Sequence, residues 1–226
     1  MSGTAVITGA AGALGQAVVA EFRHRGWQVV AVDRPGPALD GVAGDEGVHA
    51  VPAELSSRDE VQRAWEEVDR IGPTDALVAL AGGFRPGSLA DLTEEVWEEL
   101  WQSNTTSVLW CCQAAAARMA DAGGGTIVTV GSKTAVGGKA PVAHAVSKAA
   151  VVRMSELLAD ELRPRGIRVN CVLPSVIDTP ANRSWMSADL AARAVAPAAI
   201  AAVIAFLAGP DSAPVSGARV PVYGDS

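Results

Sequence analysis

Ala5-Val-Ile-Thr8-Gly9-Ala-Ala-Gly12-Ala-Leu-Gly15 is a short apolar run followed by a turn of small residues, and it leads into an amphipathic stretch. The run predicts a buried strand over Ala5–Thr8, and helical spacing of apolar residues predicts a helix over Gln16–Arg25. Gly26 follows, then a second strand over Gln28–Val32, then Asp33. A strand, a glycine-rich turn, a helix and a strand ending in an acid, within about 30 residues, form a dinucleotide-binding pattern. Gly9 lets the turn bend sharply, Gly12 leaves room for a pyrophosphate to approach the backbone, and Gly15 lets the helix pack close to the strand. Free N–H groups at the helix start, around Ala13 and Leu14, receive the phosphates. Asp33 can accept hydrogen bonds from both ribose hydroxyls and would repel a 2′-phosphate, which favours NAD(H) over NADP(H). Arg34 beside it could soften that preference. A merely tight turn does not explain Asp33.

Outward from this unit the same alternation continues. A Pro/Gly-rich loop (Pro35–Gly47) precedes a strand over Val48–Pro52, then Leu55 and a helix over Ser57–Arg70. A strand over Ala76–Leu80 ends in Ala81-Gly82-Gly83, small residues that let backbone pass close to a nucleotide. One long helix spans Thr93–Ala120, with Asn104 in its middle, a poor interior helix residue. Further strands are predicted over Ile127–Val130, Arg168–Leu173 and Ala218–Tyr223. Further helices are predicted over Val142–Leu162 and Pro197–Leu207, and Ala181–Leu190 reads as a mobile segment. Strands alternating with helices imply an α/β fold: one Rossmann-type, doubly wound parallel sheet with helices on both faces, in a single domain over residues 1–226. Ligands in such sheets bind at the strand carboxyl ends. Gly9–Gly15, Asp33, Ala81, Ser132 and Pro174–Thr179 all fall there.

Composition narrows the function classes. With 226 residues and 49% hydrophobic content the chain can bury a sizeable core, and its net charge of −7 argues against an extended nucleic-acid surface. Cys111, Cys112 and Cys171 form no disulfide or metal pattern and read as buried free thiols. His24, His49 and His144 are far apart and lack ligand-spaced partners, so no metal site is expected. No signal peptide is visible and the apolar segment Ala196–Ala208 is too short to span a bilayer, so a cytoplasmic protein without membrane partners is expected.

The chemistry concentrates in Thr126-Ile-Val-Thr-Val-Gly-Ser132 and His144-Ala-Val-Ser-Lys148. Ser132 stands just beyond a buried strand. His144 and Lys148, four residues apart, share one face of the next helix. A hydroxyl, an imidazole and an ammonium so placed could handle a proton; the plainer reading is a turn cap and two surface residues. A hydrolase built on Ser132 is poor, because Gly-Ser-Lys-Thr is not a Gly-x-Ser-x-Gly elbow.

These residues together resemble the short-chain dehydrogenase/reductase family over essentially the full chain. The resemblance rests on Thr8–Gly15, Asp33, Leu80-Ala-Gly82, Asn104, Ser132, Lys148 and Pro174…Thr179. Within the family the chain is most similar to the dihydropteridine-reductase-like branch, on Ala81-Gly-Gly-Phe84, Gly131-Ser-Lys-Thr-Ala135 and the run Leu173–Arg183. The resemblance implies that Asn104 holds a water in a helix kink and that Ser132 bonds the substrate oxygen. It implies that Lys148 binds the nicotinamide ribose and lowers a neighbouring donor's pKa, and that Ile177 and Thr179 contact the nicotinamide end. The family's proton donor is a tyrosine four residues before the lysine, and here that residue is His144. The sole tyrosine, Tyr223, lies in the last strand, where packing is expected. Ala13 also departs from the family's second motif glycine.

Histidine titrates near 6.5 and a close Lys148 cation would lower that value, leaving a neutral imidazole, a ready proton acceptor and a weak donor. Three readings stay open. One is an NAD(H)-dependent oxidoreductase acting on a small C=O or C=N substrate with His144 as atypical proton donor. Another is a non-redox enzyme, a cyclase, isomerase or lyase, using His144 as base. The third is a catalytically weak protein that binds cofactor. Phe84, Arg85, Trp185 and Met186 are expected to flank the pocket, suiting a flat, partly apolar small molecule with a polar or anionic group near Arg85. The resemblance further implies a homodimer or homotetramer through the two long helices, with Trp97, Trp101, Trp110 and Met154 among their apolar residues.

Overall fold

The computed structural model describes residues 3–225. Seven strands form one parallel sheet in the order β3-β2-β1-β4-β5-β6-β7. They are β1 (Thr4–Thr8), β2 (Gln28–Asp33), β3 (Val48–Pro52), β4 (Ala76–Ala79), β5 (Gly125–Val130), β6 (Ile167–Pro174) and β7 (Arg219–Val222). The order reverses between β1 and β4, which opens a crevice above their carboxyl ends.

Period-two alternation explains the double winding, because successive strand residues face opposite layers. Val6, Val30, Val32, Leu77, Ala79 and Ile127 pack under α3 (Arg58–Ile71), α5 (Ser107–Ala122) and α6 (Val142–Leu162). Their neighbours Ile7, Val29, Ala31, Val78 and Val128 pack under α1 (Ala13–His24) and α9 (Pro197–Ala208). Both faces are thus covered, and the central strands need to be apolar throughout.

Three predicted segments differ. The loop Pro35–Gly47 contains a short helix, α2 (Pro37–Val42), whose first residue is a proline, a favoured helix starter, and whose Leu39 and Val42 are buried. The long helix Thr93–Ala120 is interrupted: α4 (Glu94–Trp101) passes into a π-helical turn at Gln102–Thr106 before α5 resumes. The segment Ala181–Leu190 is structured as α7 (Pro180–Arg183) and α8 (Ala188–Arg193). Thr179 and Ser187 cap these short helices, and an Ile177–Val195 bridge ties their ends together. Among the described residues no helix is long and apolar enough to cross a membrane.

Candidate active site

The glycine turn follows β1. Gly9 has φ +68°, and a Cβ there would lie 2.8 Å from the Ala81 nitrogen. At Gly15 a Cβ would lie 2.1 Å from the Gly9 oxygen, so both positions exclude a side chain. Gly12 is different: its nearest neighbour would be the Gly9 oxygen at 3.4 Å, an ordinary contact, so internal packing does not require glycine there. Open space at Gly12, together with an α1 start that has no side-chain cap, leaves room and free N–H groups that could hold a phosphate group. Asp33 lies beside it, one carboxylate oxygen accepting from the Ala11 N–H at 2.8 Å and the other from the Arg34 N–H at 2.8 Å. The Arg34 side chain is exposed. Ala81 donates its N–H to the Thr8 hydroxyl at 3.4 Å, joining the β4 end to the turn. These groups fit the pyrophosphate and ribose of a dinucleotide.

Asn104 is fully buried in the π-helical turn. Its oxygen accepts the Gly83 N–H at 2.7 Å, and its amide donates to the Gly83 oxygen at 3.1 Å and the Ser147 hydroxyl at 3.0 Å. Ser147 in turn donates to the His144 oxygen at 2.9 Å. Asn104 therefore clamps the β4 loop to the start of α6, and both its amide hydrogens are used by protein groups. Gly82 passes close by: a Cβ there would lie 2.7 Å from the Asn104 oxygen and 3.4 Å from Lys148 Nζ. Asn104→Ala removes both side-chain contacts to the Gly83 backbone and one partner of the buried Ser147 hydroxyl, and is expected to destabilise the fold by about 1–3 kcal/mol, measurable by urea unfolding.

Ser132 caps the short 3₁₀ turn Lys133–Ala135, accepting the Thr134 N–H at 3.2 Å and pairing with the Thr134 hydroxyl at 2.8 Å. Lys148 is buried and donates to the Val130 oxygen at 2.9 Å. Burial lowers its pKa to about 8. His144 is half-buried, and its Nδ1 is sealed without a hydrogen-bond partner. Its pKa falls to about 4, first because burial disfavours imidazolium and second because of the Lys148 charge, with the Gly83 backbone opposing slightly. Burial thus outranks the lysine, which alone motivated the expectation from sequence. The residue is a neutral imidazole at pH 7.

At the rim, the Phe84 ring meets His144 edge-on at 5.1 Å and stacks on Trp185 at 6.3 Å. Met186 follows Trp185 and donates its N–H to the Asn182 oxygen. Arg85 is not a free anion receptor, because Glu99 holds it through bonds of 3.2 and 2.6 Å. Thr179 accepts the Asn182 N–H at 3.1 Å, and the Ile177 oxygen accepts from the Asn182 amide at 2.8 Å. Pro174 ends β6, and Leu14 is partly buried against the α1 layer. Leu55 is buried with Val61 and Trp65 in the opposite layer. Tyr223 packs on the cluster of Val152, Cys171 and Leu173, with Lys133 Nζ 5.1 Å from its ring centre. The three cysteines are free and buried. Sequence reasoning gave no individual role to Ser147, Thr8 or Asn182. Ser147 had a signal, a small polar residue next to Lys148 in an Ala/Val-rich helix.

Residues 3–190 match the family model for short chain dehydrogenase, and the chain belongs to that family. It is 32% identical to D-threitol dehydrogenase of Mycolicibacterium smegmatis, covering 97% of this chain and 91% of that one. It is 36% identical to 2,3-dihydro-2,3-dihydroxybenzoate dehydrogenase of Bacillus subtilis, over 77% of this chain and 70% of the relative. The structure of 3-ketoacyl-(acyl-carrier-protein) reductase from Brucella melitensis complexed with NADH superposes with TM-score 0.91 at 27% identity, covering 98% and 96% of the two chains.

Proposed function

We propose that the chain is an NAD(H)-dependent oxidoreductase interconverting a small C=O or C=N compound with its alcohol or amine, His144 handling the proton. The observation that carries this reading is His144 itself, a neutral imidazole beside a buried lysine, at the strand ends that also hold the glycine turn and Asp33. A bound nicotinamide coenzyme supplies or accepts the hydride. Gly9, Gly12, Ala13, Leu14 and Gly15 would hold its phosphates, and Asp33 with Arg34 the adenosine ribose. Leu55, Ala81 and Gly82 would border the adenosine side. Lys148 would hold the second ribose, and Pro174, Ile177 and Thr179 the nicotinamide end. Ser132 bonds the substrate oxygen, and His144 accepts the alcohol proton or, in reverse, returns one. The likeness to the dihydropteridine-reductase-like branch belongs to this proposal and rests on the runs 81–84, 131–135 and 173–183.

Oxidation requires His144 neutral and benefits from Lys148 charged, so kcat/KM is expected to be flat between the two pKa values of about 4 and about 8. It falls below the first as imidazole protonates and above the second as the ammonium is lost. A pH–rate profile reads this directly. The functional test is incubation with NAD⁺ and small secondary alcohols, following NADH and product mass together. NADH formed in step with ketone supports the reading. Product without redox change, or coenzyme binding without any turnover, contradicts it.

We assign a homodimer or homotetramer to the face of α4, α5 and α6. Support comes from Trp97 and Trp101, stacked at 6.0 Å yet 37% and 38% exposed, and from exposed Leu109, Val146 and Leu157.

A further inference from the structure

Three rings from separate elements line up at the mouth of the site. Phe84 follows β4, His144 lies in the first turn of α6, and Trp185 stands between α7 and α8. Phe84 and His144 meet at an interplanar angle of 78°, and Phe84 lies nearly parallel to Trp185 at 22°. Phe84, the middle ring, and Trp185 remain partly open, 39% and 53% exposed. The cations beside them in sequence are already engaged. Arg85 is held by Glu99, and Arg183 by Asp178 through bonds of 2.5 and 2.7 Å. What the rim offers a ligand is flat apolar surface.

We propose that Phe84 and Trp185 form a stacking slot that selects substrates carrying a flat, uncharged ring next to the reacting carbon. The slot deepens the reading of His144 given above, which it needs for the reaction but not for the binding. A planar ring laid along these open faces displaces water from both partners and gains offset-stacking energy beyond its area, whereas a linear chain has no face to present. Large aromatic surface left open at a site mouth is the kind of patch that marks a ligand. Phe84 also packs against the His144 imidazole at 5.1 Å.

The test is calorimetric binding of 1-indanone and of 2-nonanone, ketones of equal carbon count, to the full chain with and without saturating NAD⁺. The ring ketone is expected to bind about tenfold tighter, and Trp185→Ala to weaken it about fivefold while Trp185→Phe stays within about twofold. Phe84→Leu should weaken it as well, giving a second variant should either side chain prove needed for folding. Equal affinity for the two ketones, or an unchanged indanone affinity in both Trp185→Ala and Phe84→Leu, overturns the slot. Both rings belong to the protein, so the preference is expected in either nucleotide state. Indanone binding retained without any NAD⁺ binding therefore counts against the coenzyme reading and supports the slot.

Discussion

Gly15→Ala is expected to lower stability by on the order of 3 kcal/mol and to abolish coenzyme binding. The added Cβ would lie 2.1 Å from the Gly9 oxygen and 2.7 Å from both the carbonyl carbon and Cα of Ala10. These are backbone atoms in the turn between β1 and α1, so no rotamer change relieves the clash. Relief requires α1 to lift off the sheet, where its buried Val18, Val19 and Phe22 pack. For a chain of this size the melting temperature should fall by about 6–12 °C. Gly12→Ala is the informative contrast. Gly12 has φ −69° and its Cβ would meet only the Gly9 oxygen at 3.4 Å, so the fold should tolerate it. The added methyl would instead occupy the space assigned to the pyrophosphate. Gly12→Ala is therefore expected to keep the wild-type melting temperature and to lose NADH affinity. Thermal melts beside NADH titrations separate the two effects, and equal NADH affinity in Gly12→Ala and wild type would remove the pyrophosphate from this turn.

His144→Phe is expected to lower kcat/KM by about 10²–10⁴-fold, the usual worth of a positioned acid or base. Phenylalanine keeps a ring against Phe84 but carries no proton acceptor, so NADH binding should persist while turnover fails. The same variant has a readout that needs no substrate. In the unfolded chain histidine titrates near 6.5, whereas burial holds His144 at about 4 in the folded protein. Between these values the unfolded state binds the extra proton, so stability rises with pH across this window and is lost as pH falls toward 4. The loss at its full extent is on the order of 3 kcal/mol. Urea unfolding at pH 7 and pH 4 should show it in the wild type, and His144→Phe should show correspondingly less. A variant with the same pH dependence as the wild type would mean that His144 is not held neutral by its surroundings.

The parts of this architecture that were legible in the sequence are local. Gly9, Gly15 and Asp33 declare themselves because a tight turn, a close helix and an acid at a strand end leave fixed spacings. The parallel sheet followed from apolar runs alternating with helical periods. Asn104 stood out as a misfit in a helix, but its use as a clamp depends on Gly83, 21 residues away, which no local pattern encodes. The π-helical turn that aims it inward is equally a tertiary effect. Arg85 looked like a free cation because its partner, Glu99, comes near only when α4 folds back over the loop. The segment around Trp185 lacks periodicity and so read as mobile, yet its order comes from caps at Thr179 and Ser187 and from the Ile177–Val195 bridge. Even the Pro37 helix start was available and outweighed by the surrounding glycines.

The most direct measurement is a titration of the purified full chain with NADH and with NADPH, followed by coenzyme fluorescence. Asp33 is fixed beside the glycine turn by the Ala11 N–H, and a 2′-phosphate there would meet its carboxylate. NADH is expected to bind at least about tenfold more tightly than NADPH, like charges at close range being costly. No binding of either nucleotide, or a preference for NADPH, would contradict the assignment of an NAD(H) oxidoreductase.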